Sequence, residues 1–252
     1  MTLSLVNWNV EWATPRSGRA PEILDRIGQH EPDIVCLSEA HKGLLSPNGH
    51  LACSQADSGY GIRENMRKVI LWSREPWRSV DDLGHRSMPP GRFVSGITRT
   101  SLGDVTVVGI CIPWHGSRAQ SRHGSERKSW WEDHSLYLDC LSEILKGMQD
   151  RPLIVVGDFN QRIGQGQFVP LKLRSALESA MPEHMTIATS ALGHQGRRCI
   201  DHMAVSADLV AESLCVISNM AGEKELTDHY GIAAVLSVGN RQLSCLGEPG
   251  AS

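Results

Sequence analysis

The sequence lacks a strong excess of either charge. Its 252 residues carry 25 Lys and Arg against 28 Asp and Glu, a formal net charge of -3. Such a chain does not grip nucleic acid by charge alone. It can still bind phosphates if a divalent cation supplies the positive charge. A CxxC pair is also missing, and the seven cysteines are an odd number: Cys36, Cys53, Cys111, Cys140, Cys199, Cys215 and Cys245. Several sit inside apolar runs, as in "IVCLSE" and "VVGICIPW". This argues for free thiols in a reducing compartment and against a thiolate zinc site. No stretch approaches the roughly 20 apolar residues of a membrane span. The start, "MTLSLVNWNV", has neither a basic segment nor a long apolar one, so no secretory signal is expected. The expectation is a soluble, cytoplasmic protein. Internal repeats and low-complexity linkers are absent too.

What is present is enough apolar residue, 40% of the chain, for a large core. A single domain over residues 1–240 is expected, with 241–252 a loose tail. Short apolar runs recur at 3–10, 33–39, 68–74, 92–100, 104–112, 152–158, 185–189, 199–206, 209–217 and 230–238, and each reads as a strand. Helical spacing appears at 20–29, at 170–180 and in the second half of 116–148. Many strands run in hairpin-like succession, which argues against a purely parallel sheet. Two packed mixed sheets flanked by helices follow.

The chemistry lies at the strand ends, where a rigid sheet can hold polar groups at its rim. Asn7 and Asn9 fall in "VNWNV", and Glu39 ends "IVCLSE". His115 follows "GICIPW", and Asp158 and Asn160 follow "LIVVG". Asp201 and His202 lie in "CIDHMAVS", and Asp228 and His229 precede "YGIAAVLSV". Each alone has an ordinary explanation as a turn, cap or edge residue. Together they offer oxygen ligands for a hard cation and imidazoles for proton transfer. If the chain stays extended, Asp158 and Asn160 project to one side.

The ordered series "NWNV", "LSE", "IPWH", "GDFN", "IDH" and "TDH" resembles the endonuclease/exonuclease/phosphatase superfamily, the deoxyribonuclease-I-like proteins, over about residues 3–238. The resemblance implies a four-layer α/β sandwich with two packed mixed β-sheets flanked by helices. It implies hydrolysis of phosphoester bonds with Mg²⁺ or Mn²⁺. By that likeness Asn7, Glu39 and Asp228 serve the metal, and Asp158 orients or deprotonates the attacking water. Asn160 holds a phosphoryl oxygen. His229, paired with Asp201, binds the phosphate or acts as general acid. In the abasic-site endonuclease branch the third motif reads Tyr-x-Pro-Asn, whereas here it is Ile112-Pro113-Trp114-His115. Histidine at 115 is the pattern of the deoxyribonuclease, sphingomyelinase and phosphatase branches, and makes His115 a candidate acid or phosphate ligand.

Arg118, Arg127, Lys128 and Trp130 follow in a basic, aromatic segment that reads either as a solvated loop or as a flap over substrate. Arg67 and Lys68 could act from across the cleft. Arg162, in "GDFNQR", resembles the "GDxNxR" of inositol-polyphosphate phosphatases. Three readings compete. The first is a nuclease on DNA or RNA; the second is a phosphatase or phosphodiesterase on a small molecule or lipid head group; the third is a non-catalytic scaffold.

Overall fold

The structure, a computed structural model, describes residues 1–117, 128–148, 152–164, 168–194 and 196–239. Arg118, Arg127 and the expected tail at 241–252 lie outside the described residues. In chain order the elements begin with β1 (Leu3–Ala13), α1 (Ala20–Gly28), β2 (Ile34–His41), β3 (His50–Cys53) and β4 (Met66–Ser73). Then come β5 (Arg78–Asp81), β6 (Phe93–Thr100), β7 (Gly103–Cys111), α2 (Glu132–Lys146), β8 (Leu153–Asp158) and α3 (Leu171–Ala180). The remaining strands are β9 (Met185–Ile187), β10 (Gly193–His194), β11 (Arg197–Arg198), β12 (Asp201–Ser206), β13 (Leu209–Ile217), β14 (Met220–Ala221), β15 (Lys224–Glu225) and β16 (Gly231–Val238).

Two six-stranded sheets carry the fold, ordered β13-β16-β1-β2-β4-β3 and β5-β6-β7-β8-β12-β9. Each is mixed and contains one parallel pair, β1 with β2 and β7 with β8, flanked by antiparallel neighbours. Leu3, Leu5, Ile34, Cys36, Val69 and Leu71 of the first sheet pack on Val107, Ile154, Val156, Met203 and Val205 of the second. The alternate residues of the same strands face outward. Val6, Trp8, Val35 and Leu37 meet Ala20, Ile23 and Ile27 of α1. Leu153, Val155 and Ala204 meet Tyr137, Leu138, Leu141 and Leu145 of α2 and Leu177 of α3. This period-two division builds helix, sheet, sheet and helix layers, a four-layer α/β sandwich.

The long strands and the three helices lie where their apolar spacing placed them. Strands β3 and β5 and the two-residue ladders β10–β11 and β14–β15 fall in stretches that read as loops. They are too short for periodicity to show, and β5 is mostly exposed, so burial leaves no mark on its composition. Among the described residues, no helix is long and apolar enough to cross a membrane.

Candidate active site

At one end of the inter-sheet core the inward-facing series turns from apolar to polar. In β1, Leu3 and Leu5 are followed by Asn7 and Asn9; in β8, Ile154 and Val156 are followed by Asp158; in β12, Val205 and Met203 run back to Asp201. The side chains meet across the sheets. Asn7 Nδ2 donates to Gly157 O at 3.1 Å, and Asn9 Nδ2 donates to Asp158 Oδ2 at 3.2 Å. Asp158 and Asp201 stand directly opposite each other in the antiparallel β8–β12 pair.

Three ligand atoms from Asp158, Asp201 and His229 lie within 4.8 Å of one another. His229 Nδ1 is 2.6 Å from Asp201 Oδ2, a hydrogen bond that leaves Nε2 turned toward Asp228 Oδ1 at 3.7 Å. The His229 backbone is tied to β1. Trp8 Nε1 donates to its carbonyl at 2.9 Å, and Thr227 Oγ1, bonded to Asn9 O, accepts from its N–H. Burial raises Asp158 to about 7, helped by the charges of Asp201 and Glu39, while His229 and the Asn160 N–H oppose the rise. Burial likewise raises Asp201. Burial alone would lower His229, but Asp201, Asp158 and Asp228 outweigh it and raise its pKa. The His229–Asp201 pair therefore keeps its proton at neutral pH.

Asn160 is not extended. Its backbone is left-handed, with φ 52°, and turns the side chain back. Nδ2 donates to Asp158 Oδ2 at 3.0 Å and to Ile112 O at 2.8 Å, and its N–H donates to Asp158 Oδ1 at 2.9 Å. In this geometry Asn160 steadies Asp158, and the two side chains lie together.

Glu39 also has a left-handed backbone, φ 50°. Its Oε1 is 2.5 Å from Lys68 Nζ, which faces it across the β2–β4 pair and lies 4.8 Å from the ring of Trp12. Lys68 is thus committed to Glu39. Lys128 is committed too: its ammonium lies 2.6 Å from a carboxylate oxygen of the buried Asp133. His115 packs between aromatics, stacked on Trp130 at 5.0 Å and edge-on to Trp114 at 4.8 Å. Both indoles are about half exposed or more, 61% for Trp130 and 49% for Trp114. Asp228 is mostly exposed, and Arg162 lines the mouth of a cavity of about 360 Å³ beside Asp201 and His229.

The donors fit a hard divalent cation. Asn7 Oδ1 and Asp201 Oδ1 are buried with no hydrogen-bond partner among the described residues, which is costly unless something else meets them. Lys68 takes Oε1 of Glu39 and leaves Oε2 for a ligand.

Residues 6–229 match the Endonuclease/Exonuclease/phosphatase family. The chain belongs to that family. Endonuclease/exonuclease/phosphatase proteins are phosphoester hydrolases and generally use divalent metals. Solved structures of the family share the fold. A 3′ phosphatase from Neisseria, NExo, bound to a product DNA hairpin, is 17% identical with a TM-score of 0.66, over 92% of this chain and 98% of that one. TDP2 from D. rerio, complexed with a single-strand DNA product, is 13% identical with a TM-score of 0.64, over 94% and 99%. An endonuclease/exonuclease/phosphatase from Beutenbergia cavernae is 16% identical with a TM-score of 0.62, over 94% and 72%. No curated protein sequence matches the chain.

Several side chains in and behind the site carried no readable sign. Gln161 Nε2 lies 2.8 Å from His134 Nε2, and its carbonyl lies 2.9 Å from His202 Nε2. His134 Nδ1 lies 2.6 Å from Pro113 O, two residues before His115. His202 therefore faces the outer layer, away from Asp201. Arg197 and Arg198 line the cavity with Arg162. Their adjacency just before "CIDH" was the one available signal.

Proposed function

We propose that the chain is a divalent-metal-dependent nuclease that hydrolyses DNA or RNA phosphodiester bonds by in-line attack of an activated water. The observation that carries this reading is the Asp158–Asp201–His229 cluster, of which Asp201 and His229 line a cavity. A carboxylate raised to about 7 is basic enough near neutral pH to take a proton from water. Asn9 and Asn160 hold it in place. Asp201 fixes the Nδ1 proton of His229, so Nε2–H points outward to bind a phosphoryl oxygen or protonate the leaving oxygen. A cation held by Glu39 and Asn7, with Asp228 beside it, would neutralise charge on the phosphoryl oxygens. His115, stacked on Trp130, adds a donor flanked by exposed aromatic faces suited to an unpaired base. The DNA in two solved relatives supports the polymer reading. The cavity, at the lower end of small-ligand pockets of ~300–1,000 Å³, supports a second reading, a phosphoesterase on a small molecule.

The test is hydrolysis of labelled single- and double-stranded DNA and RNA with Mg²⁺ or Mn²⁺. Cleavage that disappears with EDTA and in Asp158→Ala is expected. Turnover of only small phosphoesters by the folded protein would replace the first reading with the second.

A further inference from the structure

The cavity beside His229 has a second wall that the hydrolytic groups do not explain. It is made by Arg162, Arg197 and Arg198. Arg162 lies four residues beyond Asp158. Arg197 and Arg198 form β11, three residues before Asp201. The two segments that carry the catalytic carboxylates thus carry the arginines as well. The β10–β11 hairpin is fixed by Gly193–Arg198 and His194–Arg197 pairing, and the His194 ring packs edge-on against Tyr230 at 4.9 Å, next to His229.

All three arginines are exposed at the mouth. Among the described residues, the side chains of Arg162 and Arg197 have no ion-pair or hydrogen-bond partner, and that of Arg198 has one hydrogen bond, to Ser190 O at 3.3 Å. The acids on the cavity are otherwise placed: Asp201 bonds His229, Asp228 faces its Nε2, and Glu225 accepts from Asn219 Nδ2 at 3.3 Å. Three guanidinium groups lining one cavity, none of them ion-paired to the acids there, repel one another, and an anion between them reduces that cost. Their forked donors match phosphate geometry.

We propose that Arg162, Arg197 and Arg198 form a subsite for a second phosphate of the substrate, next to the one held at His229. The inference rests on the phosphoester reading of the site and sharpens it: the preferred substrate carries two neighbouring phosphates. A polynucleotide backbone supplies these, and so does a small bisphosphorylated molecule.

The experiment measures equilibrium binding by calorimetry, with no turnover needed. The probes are thymidine 5′-monophosphate, thymidine 3′,5′-bisphosphate and the trinucleotide of thymidine. Proteins are the wild type, Arg197→Gln and Arg162→Gln, and the circular dichroism of each reports folding. In the wild type the bisphosphate binds about 10-fold tighter or more than the monophosphate. In either variant that ratio falls toward 1, and the slope of log affinity against log salt falls by about one. A trinucleotide tighter than the bisphosphate assigns the second phosphate to a nucleic-acid backbone. The reverse assigns it to a small molecule, and both keep the subsite. Equal wild-type affinity for mono- and bisphosphate, or an unchanged ratio in both folded variants, overturns it. Bisphosphate preference without any hydrolysis would sink the nuclease reading and leave the subsite standing.

Discussion

At the scale of single residues, the site depends on how few groups each side chain can serve. Asp158 accepts from Asn9 and from two donors of Asn160, so it is oriented before substrate arrives. Replacing it with Asn removes the base and sets amide donors against one another. Turnover is expected to fall about 10³-fold or more while the fold survives, measured as kcat/KM on a labelled oligonucleotide. A loss below 10-fold would take the base role away from Asp158. Trp8 acts at one remove. Its indole N–H is the partner of the His229 carbonyl, and Phe in its place leaves that carbonyl without it. Trp8→Phe is expected to cost roughly 1–3 kcal/mol in urea unfolding and about 10-fold in activity through a displaced His229. Activity equal to the wild type would show that the bond does not set the histidine's position.

Residue types and strand ends made Asn7, Glu39, Asp158, Asp201 and His229 legible, because a rim position on a buried strand limits where a carboxylate can go. Directions were less legible. Asn160 meets Asp158 through a left-handed backbone and not an extended one, and nothing in "GDFN" marks that φ. The partner of Lys128 was equally hidden, since pairing with Asp133 depends on burial of that acid.

At the scale of elements, β8 is held between β7 and β12 by backbone contact that only glycine permits. Gly157 has φ 146°, and a Cβ there would stand 1.9 Å from Ile110 O. Gly157→Ala must push β7 away, next to Asp158. A loss of at least about 3 kcal/mol is expected, seen as a lower midpoint in urea, with activity lost before global unfolding. A stable, active variant would show that the strands can part freely.

Behind the same strand, α2 and β12 are tied to the post-β8 loop by His134, Gln161 and His202. Burial lowers both histidines from 6.5 to about 4, partly offset by their hydrogen bonds to backbone. The native chain therefore refuses protons that the unfolded chain accepts between pH 6.5 and 4. Their contribution is complete above pH 6.5 and is lost as pH falls, up to roughly 3 kcal/mol each. Asp158 and Asp201, raised by burial, have the opposite sign, so a difference is needed to isolate the histidines. His202→Gln is expected to lower stability at pH 7.5 yet flatten its decline between pH 6.5 and 4.5 by about one proton. Parallel pH curves for wild type and variant would remove His202 as the source.

At the scale of the whole molecule, the apolar alternation made the layers legible, since each long strand divides its residues between the inter-sheet core and a helix. Strand order was not legible: β16 returns beside β1 across nearly the full chain, and no local pattern in "YGIAAVLSV" names its neighbour. That closure puts Asn7 and Glu39 on one sheet and Asp158 and Asp201 on the other, with His229 tethered between them by Trp8 and Asp201. Four carboxylates, Glu39, Asp158, Asp201 and Asp228, then share one end of the sandwich against Lys68 and His229. A divalent cation bound there would link both sheets and bind the unfolded chain far less. It should stabilise the entire fold by mass action, about 1.4 kcal/mol at tenfold its Kd, or roughly 3–5 °C in Tm. Thermal melts with Mg²⁺ or Mn²⁺ against EDTA measure this without any substrate. Glu39→Gln, which keeps an oxygen for Lys68 but removes the charge, should abolish the shift. An equal shift in that variant would place the cation away from Glu39, at the Asp158–Asp201 end of the cluster.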